Sequence, residues 1–179
     1  MSSKQTVTIA ALIVSALLAP SVHGFGWGLV NAKIRHDFPA VKWITTSELA
    51  AWLADKERPA PLLLDVRTQA EYDVSHLPKA ERVEPDSSPA TVQQPKDRPI
   101  VTYCSIGYRS GAFAQKLTAA GFTNVLNLEG SIFAWANEGR PVLREGVRVA
   151  QVHPYNRAWG LLLRKEYRVA LPVVEKRQP

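Results

Sequence analysis

The chain has 179 residues, of which 46% are hydrophobic and 21% are charged, so it suits one ordinary domain with additions and excludes two full domains. A single cysteine excludes an internal disulfide and a cysteine-rich metal site. The net charge of +6 resides in the last 40 residues, because residues 1–139 hold equal numbers of basic and acidic side chains. Such a basic tail is either a solvated surface or an attraction for a membrane, an acidic partner or small anions.

The N-terminus carries an apolar run at residues 7–19 that follows a single lysine, Lys4. Its length matches the hydrophobic region of a signal peptide and is short for a membrane span. Three interpretations of residues 1–24 stay open: a cleaved signal peptide, an uncleaved membrane anchor, or a buried helix. The first predicts export to the periplasm or the exterior. The second predicts membrane attachment through the N-terminus.

Residues 25–42 are predicted to be a linker, because the segment 31–42 is mixed and charged. The hydroxyl side chains at 45–47 offer an N-cap for a helix at about 47–55, where apolar residues recur at helical spacing. Leu62 to Val66 is a continuous apolar run that closes on an acid, which is typical of a strand buried on both faces of a parallel sheet.

Further elements alternate along the chain. The predictions in order are a short helix at 68–73, a weak strand near 80–83, an exposed loop at 84–98, a strand at 99–103, a helix capped by Ser110 and ended by Gly121, a strand at 124–128, and a short helix capped by Ser131. This alternation over residues 43–142 predicts an open, mainly parallel α/β sheet with helices on both faces. Ligands bind such sheets beyond the carboxyl ends of the strands, and Cys104 lies at one of these ends.

The segment from Cys104 to Ser110 joins a predicted strand to a predicted helix. A loop of this length can direct several backbone N–H groups inward, with Gly107 free to adopt positive φ. The positive end of the following helix and the charge of Arg109 act at the same place. These features favour a thiolate, so we predict a lowered pKa for Cys104. The alternative is an inert buried cysteine, but a polar, glycine-containing turn is an unusual place for one.

This part of the chain resembles the rhodanese family of sulfurtransferases, over about residues 43–142. Four pieces in the family's order carry the resemblance: Asp65-Val66-Arg67 with Glu71-Tyr72 and His76-Leu77-Pro78-x-Ala80; Pro99 to Ser110 with its C-x-x-G-x-R loop; Gly121-Phe122-x-x-Val125; and Leu128-Glu129-Gly130 with Trp135. Lys79 and Ser75 depart from the pattern, since glycine is common at both positions.

The resemblance implies a double-displacement reaction in which Cys104 carries the sulfane sulfur as a persulfide. It implies a small anionic donor such as thiosulfate, and cyanide, a thiol or a protein as acceptor. Substrate binding would fall to the rest of the loop: Ser105, Ile106, Gly107, Tyr108, Arg109 and Ser110. Structural support would come from Asp65 and Arg67 as an ion pair, from Glu71 in the same network, and from His76 through hydrogen bonding.

Two other functions remain open beside this one. Cysteine phosphatases of the same fold, and similarly an arsenate reductase, are disfavoured because only four residues separate Cys104 from Arg109, one fewer than phosphatases have. A non-enzymatic anion-sensing or redox-sensing module would use the same loop as a receptor. The sequence contains no metal-binding or dinucleotide-binding motif and no nucleic-acid-binding module beyond the basic tail, so no cofactor, metal or nucleic acid is expected.

Residues 143–179 form a basic extension beyond the expected domain. Tyr155 and Trp159 have helical spacing within it. They are predicted either to pack on the domain or to border the mouth of the active site and shape the acceptor site.

Overall fold

The computed structural model describes residues 22–171. The predicted signal peptide or anchor falls almost wholly on residues 1–21, outside the described residues, as does the last part of the basic tail. Between residues 22 and 171, no helix is long and apolar enough to cross a membrane.

Five parallel strands form the central sheet: β1 (Lys42–Ile44), β2 (Leu62–Asp65), β3 (Glu81–Arg82), β4 (Ile100–Tyr103) and β5 (Val125–Leu128). Their spatial order is β1-β5-β4-β2-β3. Every residue of β2 and β4 is buried, as expected for central strands covered on both faces. The mainly parallel α/β fold predicted from the sequence is confirmed.

Helices cover both faces of the sheet. They are α1 (Val22–Asp37), α2 (Thr46–Ala54), α3 (Gln69–Val74), α4 (Tyr108–Ala119) and α5 (Ser131–Asn137). Residues of α2 and α5 pack in one hydrophobic cluster, and residues of α1 and α4 pack in another. Both α2 and α3 begin with a capping box, formed by Thr45 with Glu48 and by Thr68 with Glu71.

The predicted linker at 25–42 is wrong for most of its length, because α1 occupies residues up to Asp37 and β1 begins at Lys42. Ile34 is 1% exposed and Phe38 is 8% exposed, both in the cluster that contains α4. A Cβ at Gly111 of α4 would lie 2.9 Å from the Phe38 ring, so glycine allows this close approach. The apolar stripe of Val30, Ile34 and Phe38 has helical spacing but was hidden among charged residues.

Two predicted helix caps are also wrong. Helix α4 begins at Tyr108 with Gly107 as its N-cap, and α5 begins at Ser131 with Gly130 as its N-cap. Both glycines have positive φ, which turns the chain sharply from strand to helix. Ser110 and Ser131 are consequently buried inside the fold, and neither caps a helix.

The extension folds back on the domain. An antiparallel hairpin of β6 (Val142–Arg144) and β7 (Val147–Val149) is followed by 3-10 turns at Trp159–Leu162 and Lys165–Tyr167. Val152 and Leu163 are fully buried in the cluster that contains α2 and α5. The loop at 84–98 is mostly exposed, with a 3-10 turn at Pro89–Thr91 and a buried Val92.

Candidate active site

Cys104 directly follows the last residue of β4, and only 1% of its surface is exposed. Its backbone N–H donates to Ser131 Oγ at 3.2 Å, and the N–H of Gly107 donates to Cys104 Sγ at 3.2 Å. Gly107 has a φ of 109°, which a side chain would strain. The loop therefore curls around the sulfur at the carboxyl end of the central strand.

Neighbouring strands and helices hold the shape of this loop. Asn127 on β5 donates from Nδ2 to the Gly107 carbonyl oxygen at 2.9 Å. The N–H groups of Ile132 and Phe133, at the start of α5, donate to the carbonyl oxygens of Cys104 and Ser105, each at 3.2 Å. These three carbonyl oxygens are thus bonded to β5 and α5, while the N–H of Gly107 faces the sulfur.

Arg109 is held by a carboxylate from another element. Its guanidinium makes a two-pronged bond to Glu71 of α3, at 2.8 and 2.7 Å, and Nη2 donates to Ser105 Oγ at 3.0 Å. Ser105 Oγ in turn donates to Glu71 Oε1 at 2.8 Å. Such bidentate pairs are both strong and geometrically specific, so Glu71 fixes where the charge of Arg109 lies.

Glu71 stays ionised in this setting. Burial alone would raise the pKa of its carboxyl group. Hydrogen bonds and charge from Arg109, with bonds from Ser105 and Thr68, outweigh burial and lower that pKa to about 2. The expectation that Glu71 belongs to the Asp65 and Arg67 network needs correction, because the hydrogen bonds of its carboxylate run to the active-site loop and to Thr68.

The thiol of Cys104 is poised to ionise. Burial opposes ionisation, but the positive charge of Arg109, the nearby N–H and hydroxyl groups of Ser110, and the hydrogen bond from the N–H of Gly107 outweigh it. The pKa of Cys104 therefore lies below that of an ordinary cysteine. No hydrogen-bond acceptor for Ser110 Oγ is found among residues 22–171, so this buried hydroxyl can turn toward the sulfur.

Asp65, the last residue of β2, forms a fully buried ion pair with Arg67 at 2.6 Å. Arg67 also donates from Nη2 to the Ser75 carbonyl oxygen at 2.6 Å, which ties the strand to the turn after α3. His76 stacks on the ring of Tyr72 at 4.0 Å, and its backbone bonds to Leu143. These residues are placed to order the scaffold, away from the sulfur.

The mouth of the site is a cavity of about 140 Å³. It is lined by Cys104, Ser105, Ile106, Tyr108, Arg109, Tyr155 and Trp159. Two larger hollows, of about 460 and 420 Å³, lie elsewhere, and Cys104 lines neither. The two aromatic residues of the extension thus border the active-site mouth, one of the two placements expected from the sequence, while Val152 and Leu163 hold the extension to the core.

A family model described as "Rhodanese-like domain" matches residues 45–138, more than half of the chain. The chain belongs to the rhodanese family. The resemblance inferred from the four sequence pieces is therefore confirmed.

Among relatives, a sulfurtransferase from Allochromatium vinosum is 38% identical over 104 residues, which are 58% of this chain and 95% of that protein. A tRNA uridine(34) hydroxylase from Onion yellows phytoplasma is 29% identical over 83% of this chain and 47% of its own length. A solved rhodanese-like domain protein from Staphylococcus aureus superposes with a TM-score of 0.52 at 30% identity, covering 59% of this chain and 99% of its own. The sulfurtransferase relative and the rhodanese-like structure support a rhodanese-type sulfurtransferase, and the hydroxylase shows that related proteins also carry another activity.

Sequence reasoning missed two residues that shape the site, Ser131 and Asn127. Both are fully buried polar residues, one bonded to the backbone of Cys104 and the other to that of Gly107. Their signal was available in principle, because β5 lies beside β4 and its carboxyl end meets the same edge of the sheet.

Proposed function

We propose that the protein is a rhodanese sulfurtransferase that moves sulfane sulfur from thiosulfate or a persulfide donor to cyanide or a thiol through a persulfide on Cys104. The observation that carries this proposal is the buried Cys104 sulfur inside a loop whose N–H groups, Ser110 hydroxyl and Arg109 charge all favour an anion. The same surroundings that favour the thiolate would favour the terminal sulfur of a persulfide.

The first half-reaction begins with the thiolate of Cys104, which attacks the outer sulfur of the donor. A new S–S bond forms as the donor's bond to that sulfur breaks, and the electron pair leaves with sulfite when the donor is thiosulfate. The atoms and charges balance: one thiolate and one thiosulfate give one persulfide anion and one sulfite. No base is needed when the thiol is already ionised.

The second half-reaction returns the enzyme to its starting state. Cyanide or a thiolate attacks the outer sulfur of the Cys104 persulfide, and the S–S bond breaks with its electrons returning to Cys104. The roles of the loop follow from this cycle. The N–H groups from Ser105 to Ser110 would stabilise the anionic sulfur at both stages.

Arg109 supplies the positive charge near the sulfur. Three of its five N–H groups are engaged by Glu71 and Ser105. Its remaining N–H groups are available for a donor anion, and Glu71 keeps the guanidinium from swinging away. We propose that a persulfide donor is bound by the same N–H groups of Arg109.

The setting of the reaction is also a proposal. The apolar run at residues 7–19 and the basic tail support an exported or membrane-anchored enzyme that acts on small sulfur compounds or on a protein thiol. Comparing the mass of the protein recovered from its native host with that of the full chain tests whether the N-terminal segment is removed.

Mass spectrometry of the intact protein after incubation with thiosulfate tests the central proposal. We expect the wild type to gain the mass of one sulfur atom and to lose it on addition of cyanide, while Cys104→Ser gains nothing. Failure to gain sulfur from both thiosulfate and an organic persulfide, with the thiol shown to be reduced, would leave the receptor function in its place. Hydrolysis of an aryl phosphate by the wild type would instead revive the phosphatase alternative.

A further inference from the structure

The extension builds an aromatic collar, Tyr155 and Trp159, over the mouth of the Cys104 cavity. Tyr155 lies with its ring 4.8 Å from the guanidinium carbon of Arg109. Tyr155 is 45% exposed and Trp159 is 39% exposed, so each residue has one side in solvent and another side on the cavity. A substrate held in this cavity therefore lies against them.

The collar is held in place by its own loop. The N–H of Tyr155 donates to His153 Nδ1 at 3.0 Å, and the N–H of Trp159 donates to Asn156 Oδ1 at 2.9 Å. Tyr155 has a φ of 62°, an uncommon conformation for an aromatic residue. This backbone conformation fixes the direction in which the side chain of Tyr155 leaves the chain.

The far side of the loop is anchored in the domain. Asn137 of α5 donates from Nδ2 to the Leu162 carbonyl oxygen at 2.8 Å and accepts the Arg164 N–H at 2.8 Å through Oδ1. Gly160 packs so closely on Pro154 that a Cβ there would lie 2.9 Å from the proline side chain. The collar is therefore a preorganised wall of the cavity.

The cavity offers a doubly negative substrate one positive side chain for two negative charges. Within the described chain, Arg109 is the one charged residue that lines this cavity, and Glu71 already pairs with it. Aromatic faces are the negative side of the ring quadrupole, and a charge moved from water to such a wall without a partner is costly. A carbon stem, by contrast, gains contact with Tyr155, Trp159 and Ile106.

The size of the cavity limits how much of the substrate can enter it. Its volume of about 140 Å³ is well below the roughly 300 Å³ at which pockets begin to hold drug-sized ligands. The cavity has room for the sulfur-bearing end of a molecule while the remainder stays outside the collar.

We propose that the aromatic collar makes carbon-bound sulfur, an alkyl persulfide as donor and an alkyl thiol as acceptor, the preferred substrate class over inorganic thiosulfate. The inference rests on the proposed persulfide function and deepens it. In the donor step, Cys104 thiolate attacks the outer sulfur of R–S–SH, the S–S bond breaks, and R–S⁻ leaves with the electron pair, giving Cys104–S–SH. The acceptor step is the reverse exchange with a second thiolate.

The experiment measures rate constants for loading Cys104 in single turnover, by rapid quenching and intact-protein mass spectrometry. The two donors are 2-hydroxyethyl persulfide and thiosulfate, and the readout is the ratio of their rate constants. We expect Trp159→Ala to lower this ratio about fivefold through loss of ring contact with the alkyl stem. Trp159→Phe should retain most of the wild-type ratio.

A second variant and a matched control guard against loss of folding. Tyr155→Asn removes the ring, and asparagine tolerates the left-handed backbone at this position, so we expect the same fall in the ratio. Leu161→Ala, in the same segment and 65% exposed, should leave the ratio unchanged. A ratio unchanged in both collar variants, or equal losses with both donors, would overturn the inference. A wild type that neither donor loads would instead overturn the proposed function.

Discussion

Single residues decide the reactivity of the sulfur. Cys104 is buried, and burial by itself would keep its thiol protonated, so the opposing groups determine the outcome. Arg109 contributes most among them and is itself oriented by Glu71. Arg109 and Glu71 therefore act together, because the Glu71 carboxylate fixes the position of the Arg109 charge.

We predict that Arg109→Gln raises the pKa of Cys104, because an adjacent cation that favours the thiolate is lost. Below that pKa the thiolate fraction falls, so the profile of alkylation rate against pH moves to higher pH. Iodoacetamide alkylation across the pH range, followed by mass spectrometry, measures the shift.

Two variants control this measurement. Arg109→Gln leaves the buried Glu71 charge without its partner, so the double variant Arg109→Gln with Glu71→Gln removes both charges and should raise the pKa less. Arg35→Gln removes an exposed arginine that pairs with Glu129 and should leave the profile unchanged. An unshifted profile in both Arg109 variants would mean that the loop N–H groups and Ser110 alone set the pKa.

Some residue conformations could be foreseen and others could not. Gly107 in a tight polar turn predicted the positive φ that it has, 109°. Lys79 also has positive φ, 61°, at a position where the family resemblance makes glycine common. Next to this turn, Arg67 bonds to the Ser75 carbonyl oxygen and His76 pairs with Leu143, and these contacts hold the lysine in a conformation that usually favours glycine.

Among the elements, α1 shows how a pattern can be present and still be overlooked. Three apolar residues spaced four apart, Val30, Ile34 and Phe38, meet the apolar face of α4, while the other faces of α1 carry charges. Asn31 and Arg35 of the same helix bond to Glu129 after β5. The helix is thus attached to the domain by both core packing and surface polar contacts.

We predict that Ile34→Ala lowers the free energy of unfolding by about 2–5 kcal/mol, as expected for truncation of a fully buried aliphatic side chain. Urea denaturation followed by far-UV circular dichroism measures it. Leu29→Ala, in the same helix and 61% exposed, should change the free energy by less than about 0.5 kcal/mol. Equal and small effects of both substitutions would show that α1 is not part of the folded core.

The whole molecule joins the catalytic domain and its extension in one hydrophobic core. Val152 and Leu163 contribute to the cluster that also holds residues of α2, α5 and the central strands. Ser75 Oγ donates to the Gln151 carbonyl oxygen at 2.7 Å, so the start of the extension is tied to the turn after α3. The extension should therefore unfold together with the domain.

We predict that Leu163→Ala lowers the free energy of unfolding by about 2–5 kcal/mol. In the wild type and in this variant, the unfolding transitions seen by tryptophan fluorescence and by far-UV circular dichroism should coincide. Leu161→Ala serves as the exposed comparison in the same segment. Two separate transitions in the wild type would indicate that the extension folds independently of the domain.

The sequence by itself determined four of the five strands of the central sheet, their parallel arrangement and the loop that follows Cys104. Each rests on local chemistry: continuous apolar runs for central strands, a cysteine at the end of such a run, and a glycine and an arginine within the next five residues. The tertiary structure decided which carboxylate holds Arg109, which strand residue supports Gly107, and that Tyr155 and Trp159 stand at the mouth. These partners lie 23 to 55 residues from Cys104 along the chain. Only the assembly of the sheet and the burial of Val152 and Leu163 bring them together, because no local pattern encodes which distant side chains share a cavity.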